Sequence, residues 1–198
     1  MTLAPAISTP SVGAALEGAR RRLGEAAFQP PGREAILLMT HVLGLGEAAV
    51  LAHPERALDS AESEWFESLI QRRLTGEPTA YLLGEREFYG RPYAVDRRVL
   101  IPRPETEHLI DAALALDLPA QPRILDIGTG SGVIALTLAL EIAGSRVVAT
   151  DNSPAALAVA RSNRRRWGLT ERVTLLAADL TAGLRVDDFD LVVSNPPY

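Results

Sequence analysis

The sequence predicts an α/β chain: a parallel sheet with helices on its faces, preceded by a small helical bundle and a β-hairpin. Three observations carry this. From about residue 105 onward, short apolar runs alternate with segments of helical periodicity, the pattern of a parallel sheet. Residues 1 to about 76 show helical periodicity alone. Residues 79–103 gather Tyr81, Phe88, Tyr89, Tyr93, Val95, Val99 and Ile101 among Gly84, Gly90 and Pro92, which reads as a strand pair with a turn near Gly90.

Ser11 can cap a first helix carrying Val12, Leu16, Ala19 and Leu23. Gln29-Pro30-Pro31-Gly32 interrupts the pattern. A second helix is expected over 33–43, and a short third over 47–52 that stops before His53-Pro54. Asp59 or Ser60 can cap a fourth, in which Trp65, Phe66, Leu69, Ile70 and Leu74 recur at helical spacing; Trp65 and Phe66 are expected in the bundle core. Gly76 and Pro78 end it. After the hairpin, a helix is expected over 105–116, with Pro104 suited to its first position and Glu105 and Glu107 to its positive end. Strands follow at 123–127, 146–150, 173–177 and 191–194, with helices at 132–142 and 154–167 between them. The expected division is a bundle over 1–78, a hairpin linker over 79–104 and an α/β domain over 105–198.

Composition narrows the function. The 198 residues are 47% hydrophobic and 23% charged, which excludes a mainly disordered or collagen-like chain. No apolar run approaches the ~20 residues of a bilayer span, and the first residues have neither a basic region nor an apolar core, so no membrane or secretory leader is expected. The absence of cysteine excludes thiolate chemistry and fits a reducing compartment, the cytoplasm. His41, His53 and His108 are far apart, and no metal site is expected. A net charge of −5 argues against a broad grip on nucleic acid. All 20 basic residues are arginine, which reads as genomic codon bias and excludes lysine-dependent chemistry. Arg20–Arg22 and Arg164–Arg166 read as solvated helix faces, and His108 as a surface or packing residue.

Two motifs remain. Asp126-Ile127-Gly128-Thr129-Gly130-Ser131-Gly132 directly follows an expected strand and opens a helix. Its glycines permit a tight turn and close approach of a ligand to the backbone, and the helix offers unpaired N–H groups. Alone it could be a structural turn. Asp151 ends the next strand, where a carboxylate can accept from both hydroxyls of a ribose, so a nucleoside cofactor is the better reading. The second motif is Asn195-Pro196-Pro197-Tyr198, at the end of the fourth strand. The prolines fix φ and remove two backbone donors, which leaves carbonyls free as acceptors. A planar NH₂ group can give one proton to the Asn195 side-chain oxygen and one to the Pro196 carbonyl, with Tyr198 packed on its plane. A strand stop followed by a proline turn is the plainer alternative, and the weaker one beside a cofactor loop.

The loop spacing G-x-G-x-G departs from the dinucleotide G-x-G-x-x-G. It resembles the nucleotide loop of class I, Rossmann-like S-adenosylmethionine-dependent methyltransferases. That resemblance places Gly128–Gly132 along the amino-acid part of the cofactor, Asp151 on its ribose, and Asp179 with the Leu180 backbone beside its adenine. The tetrapeptide 195–198 is similar to the signature of methyltransferases acting on the nitrogen of planar groups. The run from Glu77 to Gly84, Glu87-Phe88-Tyr89-Gly90, and Val99 through Pro102-Arg103-Pro104-Glu105-Thr106-Glu107 is similar to the linker of the HemK/PrmC family, which methylates a glutamine of peptide-chain release factors. The resemblance covers residues 77–198; the helical first third fits the family's bundle in type only. It implies S-adenosyl-L-methionine as the cofactor, with Asp126, Gly128, Thr129, Gly130, Ser131, Gly132, Asp151, Asp179, Leu180 and Asn195 around it. It implies Asn195, Pro196, Pro197 and Tyr198 around the acceptor amide, places Arg103 and Thr106 near the pocket without a role, and gives the bundle the protein partner to recognise.

The expected reaction is therefore methyl transfer to the amide nitrogen of the glutamine in a Gly-Gly-Gln motif of bacterial release factors, by a cytoplasmic and monomeric enzyme. A methyltransferase of DNA or RNA amino groups, adenine N6 or guanine N2, uses a similar signature on a flipped base, and the net charge opposes it. A non-catalytic cofactor-binding and docking module is the alternative of another class, and a nicotinamide dehydrogenase a distant one. The sheet is expected to stop after its fourth strand, as a truncated domain with an open edge there, which puts the activity of these 198 residues alone in doubt.

Overall fold

The structure is a computed structural model that describes residues 9–196. They form two compact units divided between Leu83 and Gly84. Among the described residues no helix is long and apolar enough to cross a membrane.

The first unit is helical. Helix α1 (Val12–Glu25) is capped by Ser11, whose hydroxyl accepts from the Ala14 N–H. Helix α2 (Pro31–Leu43) starts two residues before the expected Arg33, because Pro31 fits the first helical position, where no N–H is needed. Helix α3 (Glu47–Ala52) is as expected. Helix α4 (Ser60–Leu74) is opened by a reciprocal cap: the Asp59 carboxylate accepts from the Glu62 N–H, and the Glu62 carboxylate from the Asp59 N–H. Leu23, Leu38, Met39, Phe66, Leu69 and Ile70 make the core. Trp65 does not join them. Phe66, Leu69 and Ile70 share the inward stripe, and Trp65, one residue off it, is 45% exposed with its ring edge-on to His41 at 5.3 Å.

Thr79–Leu83, expected at the start of the hairpin segment, forms helix α5 instead, and buries Leu82 in the bundle core. Its entry is fixed by charge: Arg73 is paired with Glu34 and lies over the Phe28 ring, and the Thr79 hydroxyl donates to the same Glu34 carboxylate.

The second unit begins with an antiparallel hairpin, β1 (Glu85–Phe88) and β2 (Arg91–Ala94). Tyr89 and Gly90 form its two-residue turn, both with positive φ, which matches the twist of the strands. A tyrosine there is strained and is held from outside. Its N–H donates to Glu107 Oε1 and its hydroxyl to Asp111 Oδ1, both on helix α6 (Glu107–Leu114), which follows a 3₁₀ turn at Pro104–Thr106. Strands β3 (Arg123–Ile127), β4 (Arg146–Asp151), β5 (Val173–Ala177) and β6 (Leu191–Ser194) form one parallel sheet in the order β5-β4-β3-β6. Helices α7 (Val133–Glu141) and α8 (Pro154–Arg166) are the first two crossovers. The chain steps outward from β3 to β5 and then returns to the other side of β3. The carboxyl ends of β3 and β6 therefore flank the point where the order reverses, where open α/β sheets leave a crevice.

Phe88, Tyr93, Ile110, Ile124, Leu136, Leu138 and Val147 fill the core of this unit. One buried polar group binds three segments together. Asn163, on α8, accepts from the Ala94 N–H at 2.7 Å and donates to the carbonyls of Ala94 at 3.0 Å and Ser131 at 2.9 Å. Asn163→Ala leaves these backbone groups without partners in a dry site, and is expected to cost about 3 kcal/mol of stability. Urea unfolding followed by Trp167 fluorescence in a Trp65→Phe background checks this; an unchanged midpoint would mean that water replaces the amide.

Candidate active site

β3 ends at Ile127, and the chain turns through Gly128-Thr129-Gly130-Ser131-Gly132 into α7. The three glycines have φ of 73°, 55° and 85°, a region other residues rarely enter. Their surroundings differ. A Cβ on Gly128 or Gly130 would meet nothing within 4 Å, whereas one on Gly132 would press on Leu136 Cδ1 at 3.1 Å and Ala160 Cβ at 3.3 Å. The first two glycines leave bare backbone along the crevice. The third lets α7 pack against α8.

The loop is anchored from beneath. The N–H groups of Gly128 and Thr129 both donate to the Thr150 carbonyl, at 2.9 and 2.8 Å. Asp126 is fully buried; its Oδ2 accepts from the Thr129 hydroxyl at 2.6 Å and the Ala135 N–H at 3.2 Å, while Oδ1 has no partner among the described residues. Burial pushes its carboxyl up to about 6, against the downward pull of these two bonds. Asp151, at the end of β4, accepts from the Gly130 N–H at 2.8 Å through Oδ2 and from the Ser153 N–H at 2.9 Å through Oδ1. A carboxylate has about four acceptor positions, so lone pairs remain on both oxygens. Beyond β5, the Thr150 hydroxyl donates to the Leu180 carbonyl at 3.0 Å, and the Ala178 N–H to the Asp151 carbonyl at 3.1 Å.

Asn195 follows β6. Its Nδ2 donates to Thr106 Oγ1 at 3.0 Å, and the Ser194 hydroxyl donates to the Ile127 carbonyl at 2.9 Å. A groove of about 310 Å³ along the strand ends is lined by Gly128, Gly130, Asp151, Asp179, Leu180 and Asn195, with Leu100 and Pro196 beside them. A second hollow of about 560 Å³ meets it at Leu100, Ser194, Asn195 and Pro196, and extends past Arg103, Thr106 and His108. Asp126, Thr129, Ser131 and Gly132 do not line the groove; they are buried behind it and shape the loop. Pro197 and Tyr198 lie outside the described residues.

A family model described as the PrmC N-terminal domain matches residues 14–84, and one described as the methyltransferase small domain matches residues 107–198. A release factor glutamine methyltransferase of Bradyrhizobium diazoefficiens is 42% identical over 204 residues, covering 99% of this chain and 68% of that protein. The chain belongs to the release factor glutamine methyltransferase family. Other members bear the same name: that of Bordetella pertussis is 51% identical over 170 residues, and that of Nitratidesulfovibrio vulgaris is 44% identical over 184 residues. These alignments cover 85% and 92% of this chain, which spans 62% of the length of each of the two relatives.

Membership of this family accounts for the fold class and for the bundle ahead of it. Two residues of structural weight were not legible as such. Thr106 was expected near the pocket without a role, and it holds the Asn195 amide. Asn163 sits in an arginine-rich helix that reads as solvated; an asparagine in a helix interior, where it is unfavourable, is the one local signal that it serves tertiary structure.

The buried carboxyl gives a pH test. Ionising Asp126 costs more in the folded protein than in the unfolded one. Its contribution is therefore fully present below its ordinary 3.8 and is lost as pH rises through about 6. Asp126→Asn does not titrate, so its stability relative to wild type is expected to improve steadily across that interval. Urea unfolding at successive pH values reads this; a constant difference would show that the carboxylate keeps its water.

Proposed function

We propose that this chain supplies the cofactor groove, the acceptor-binding asparagine and the helical bundle of an enzyme that methylates the side-chain amide nitrogen of a glutamine in translation release factors. The observation that carries the reading is the position of Asn195, at the reversal point of the sheet, between the groove beside the glycine loop and the second hollow. Family membership supports the substrate class, since the relatives are named for it. A monomeric cytoplasmic enzyme acting on the Gly-Gly-Gln glutamine during translation termination is the reading in full.

The residues fit S-adenosyl-L-methionine. Gly128 and Gly130 leave bare backbone for its amino-acid part, with Thr129, Ser131, Gly132 and Asp126 keeping the loop in shape. The free lone pairs of Asp151 suit two ribose hydroxyls, and Asp179 with Leu180 would flank the adenine. When bound, the cofactor supplies a methyl group on an electron-poor sulfonium. An amide nitrogen is a weak nucleophile because its lone pair is delocalised. Asn195 Oδ1 and the Pro196 carbonyl would accept its two N–H protons, draw electron density onto nitrogen and fix its line of approach. Pro197 and Tyr198 would pack on its plane. Asn195 cannot remove a proton at neutral pH, so its part is orientation and electrostatic support; the methyl's bond to sulfur would break as its bond to nitrogen forms, and the proton that nitrogen sheds would pass to solvent.

The test uses the intact protein, S-adenosylmethionine with a labelled methyl group, and extract lacking the endogenous activity. Label is expected in a protease-sensitive, nuclease-resistant product of release-factor size, with the modified glutamine found by mass spectrometry. Nuclease-sensitive label would make a base methyltransferase the working reading. Asn195→Ala is expected to lower turnover about 100-fold or more while leaving cofactor affinity, read by isothermal titration, little changed; loss of that affinity would overturn the assignment of Asn195 to the acceptor.

A further inference from the structure

Asn195 can serve an incoming NH₂ group in only one of two orientations. A side-chain amide presents an acceptor oxygen at one end and two donors at the other. With Oδ1 toward the acceptor amide, the contact is donor to acceptor. Turned by 180°, Asn195 would set its own NH₂ against that of the substrate, and two donors would face each other in a partly dry site. The Pro196 carbonyl cannot correct this, because it lies in the main chain and is itself only an acceptor.

One contact bears on this choice. Nδ2 of Asn195 donates to Thr106 Oγ1 at 3.0 Å, across 89 residues of sequence. We infer that Thr106 is a positioning residue for methyl transfer, whose hydroxyl oxygen accepts the hydrogen bond from Asn195 Nδ2 and so aims Oδ1 at the acceptor nitrogen. The inference rests on the reading of Asn195 given above. Thr106 is built to stay in place. It is 8% exposed, and it closes a 3₁₀ turn begun by Pro104, with its own N–H on the Arg103 carbonyl at 3.0 Å. Helix α6 continues from that turn, and Glu107 and Asp111 on it hold the hairpin tip at Tyr89. The hydroxyl thus meets Asn195 from a turn that leads into an anchored helix, and it borders the hollow that Asn195 also borders.

The closing experiment compares Thr106→Val, Thr106→Ser and Asn195→Ala in the intact protein with a release factor as substrate. Valine keeps the branched shape and cannot accept a hydrogen bond; serine restores the hydroxyl. Thr106→Val is expected to lower kcat about tenfold with the cofactor Kd and the KM for the release factor unchanged, and Thr106→Ser to recover most of the loss. Selective ¹⁵N labelling of asparagine gives a second readout that needs no turnover. The Asn195 side-chain NH₂ signals should move in Thr106→Val and return in Thr106→Ser. Normal kcat in Thr106→Val, no recovery with serine, or a loss of cofactor affinity equal to the loss of rate would each overturn the inference. The last would place Thr106 on the cofactor instead. Full transfer by Asn195→Ala would overturn the reading of Asn195 and this inference with it. Normal turnover by Thr106→Val beside an inactive Asn195→Ala would overturn this inference alone.

Discussion

A buried carboxyl group organises the glycine loop of the second unit. Asp126 is the last residue but one of β3 and has no exposed surface, and a charge placed there is costly unless hydrogen bonds replace its hydration. Two do so on one oxygen, from the Thr129 hydroxyl in the loop and the Ala135 N–H in the first turn of α7. The same contacts fix how strand, loop and helix join. A loop with three residues at positive φ has few internal restraints, and its shape depends on this anchor below and on the Thr150 carbonyl and Asp151 carboxylate beside it.

In the outer parts of the second unit, single polar side chains supplement the packing that Phe88 and Tyr93 make in the core. The hairpin has only four residues in each strand, too little to stand alone in water. It is held at its tip through Tyr89 to α6 and at its other end through Ala94 to Asn163 on α8. Asn163 also holds the Ser131 carbonyl, so the end of the hairpin and the glycine loop share one clamp. The segment that follows the hairpin, through Val99 and Leu100, forms part of the groove lining. One stretch of chain thus runs from the clamp to the groove.

The parts of the fold that were legible are those whose cause is local or periodic. Strands β3 to β6 are short apolar runs at regular spacing, and their limits agree with expectation to within a residue. The Ser11 and Asp59 caps and the hairpin turn follow from residue chemistry at fixed offsets. What escaped has a distant cause. Helix α5 depends on a salt bridge between Glu34 and Arg73, 39 residues apart, that also receives Thr79. Trp65 reads as core because it is large and adjacent to Phe66, and the helix turns it outward. At the site, the motifs name the right neighbourhood, but they do not separate residues that border the groove from those that shape it. Asp126 and Asp151 look alike as carboxylates at the carboxyl ends of adjacent strands; one is sealed beneath the loop and the other opens to the crevice.

The glycines of the loop divide two obligations between them. Gly128 and Gly130 have empty space where a side chain would begin, while Gly132 has Leu136 and Ala160 against it. A left-handed-tolerant residue such as asparagine at either of the first two would narrow the crevice and leave the helices seated. A side chain at the third would press on Leu136 and Ala160 whatever the crevice held. Ligand selectivity and scaffold integrity can thus drift separately in this loop, at positions only two residues apart. A protein with this fold can change what its crevice admits and keep its shape.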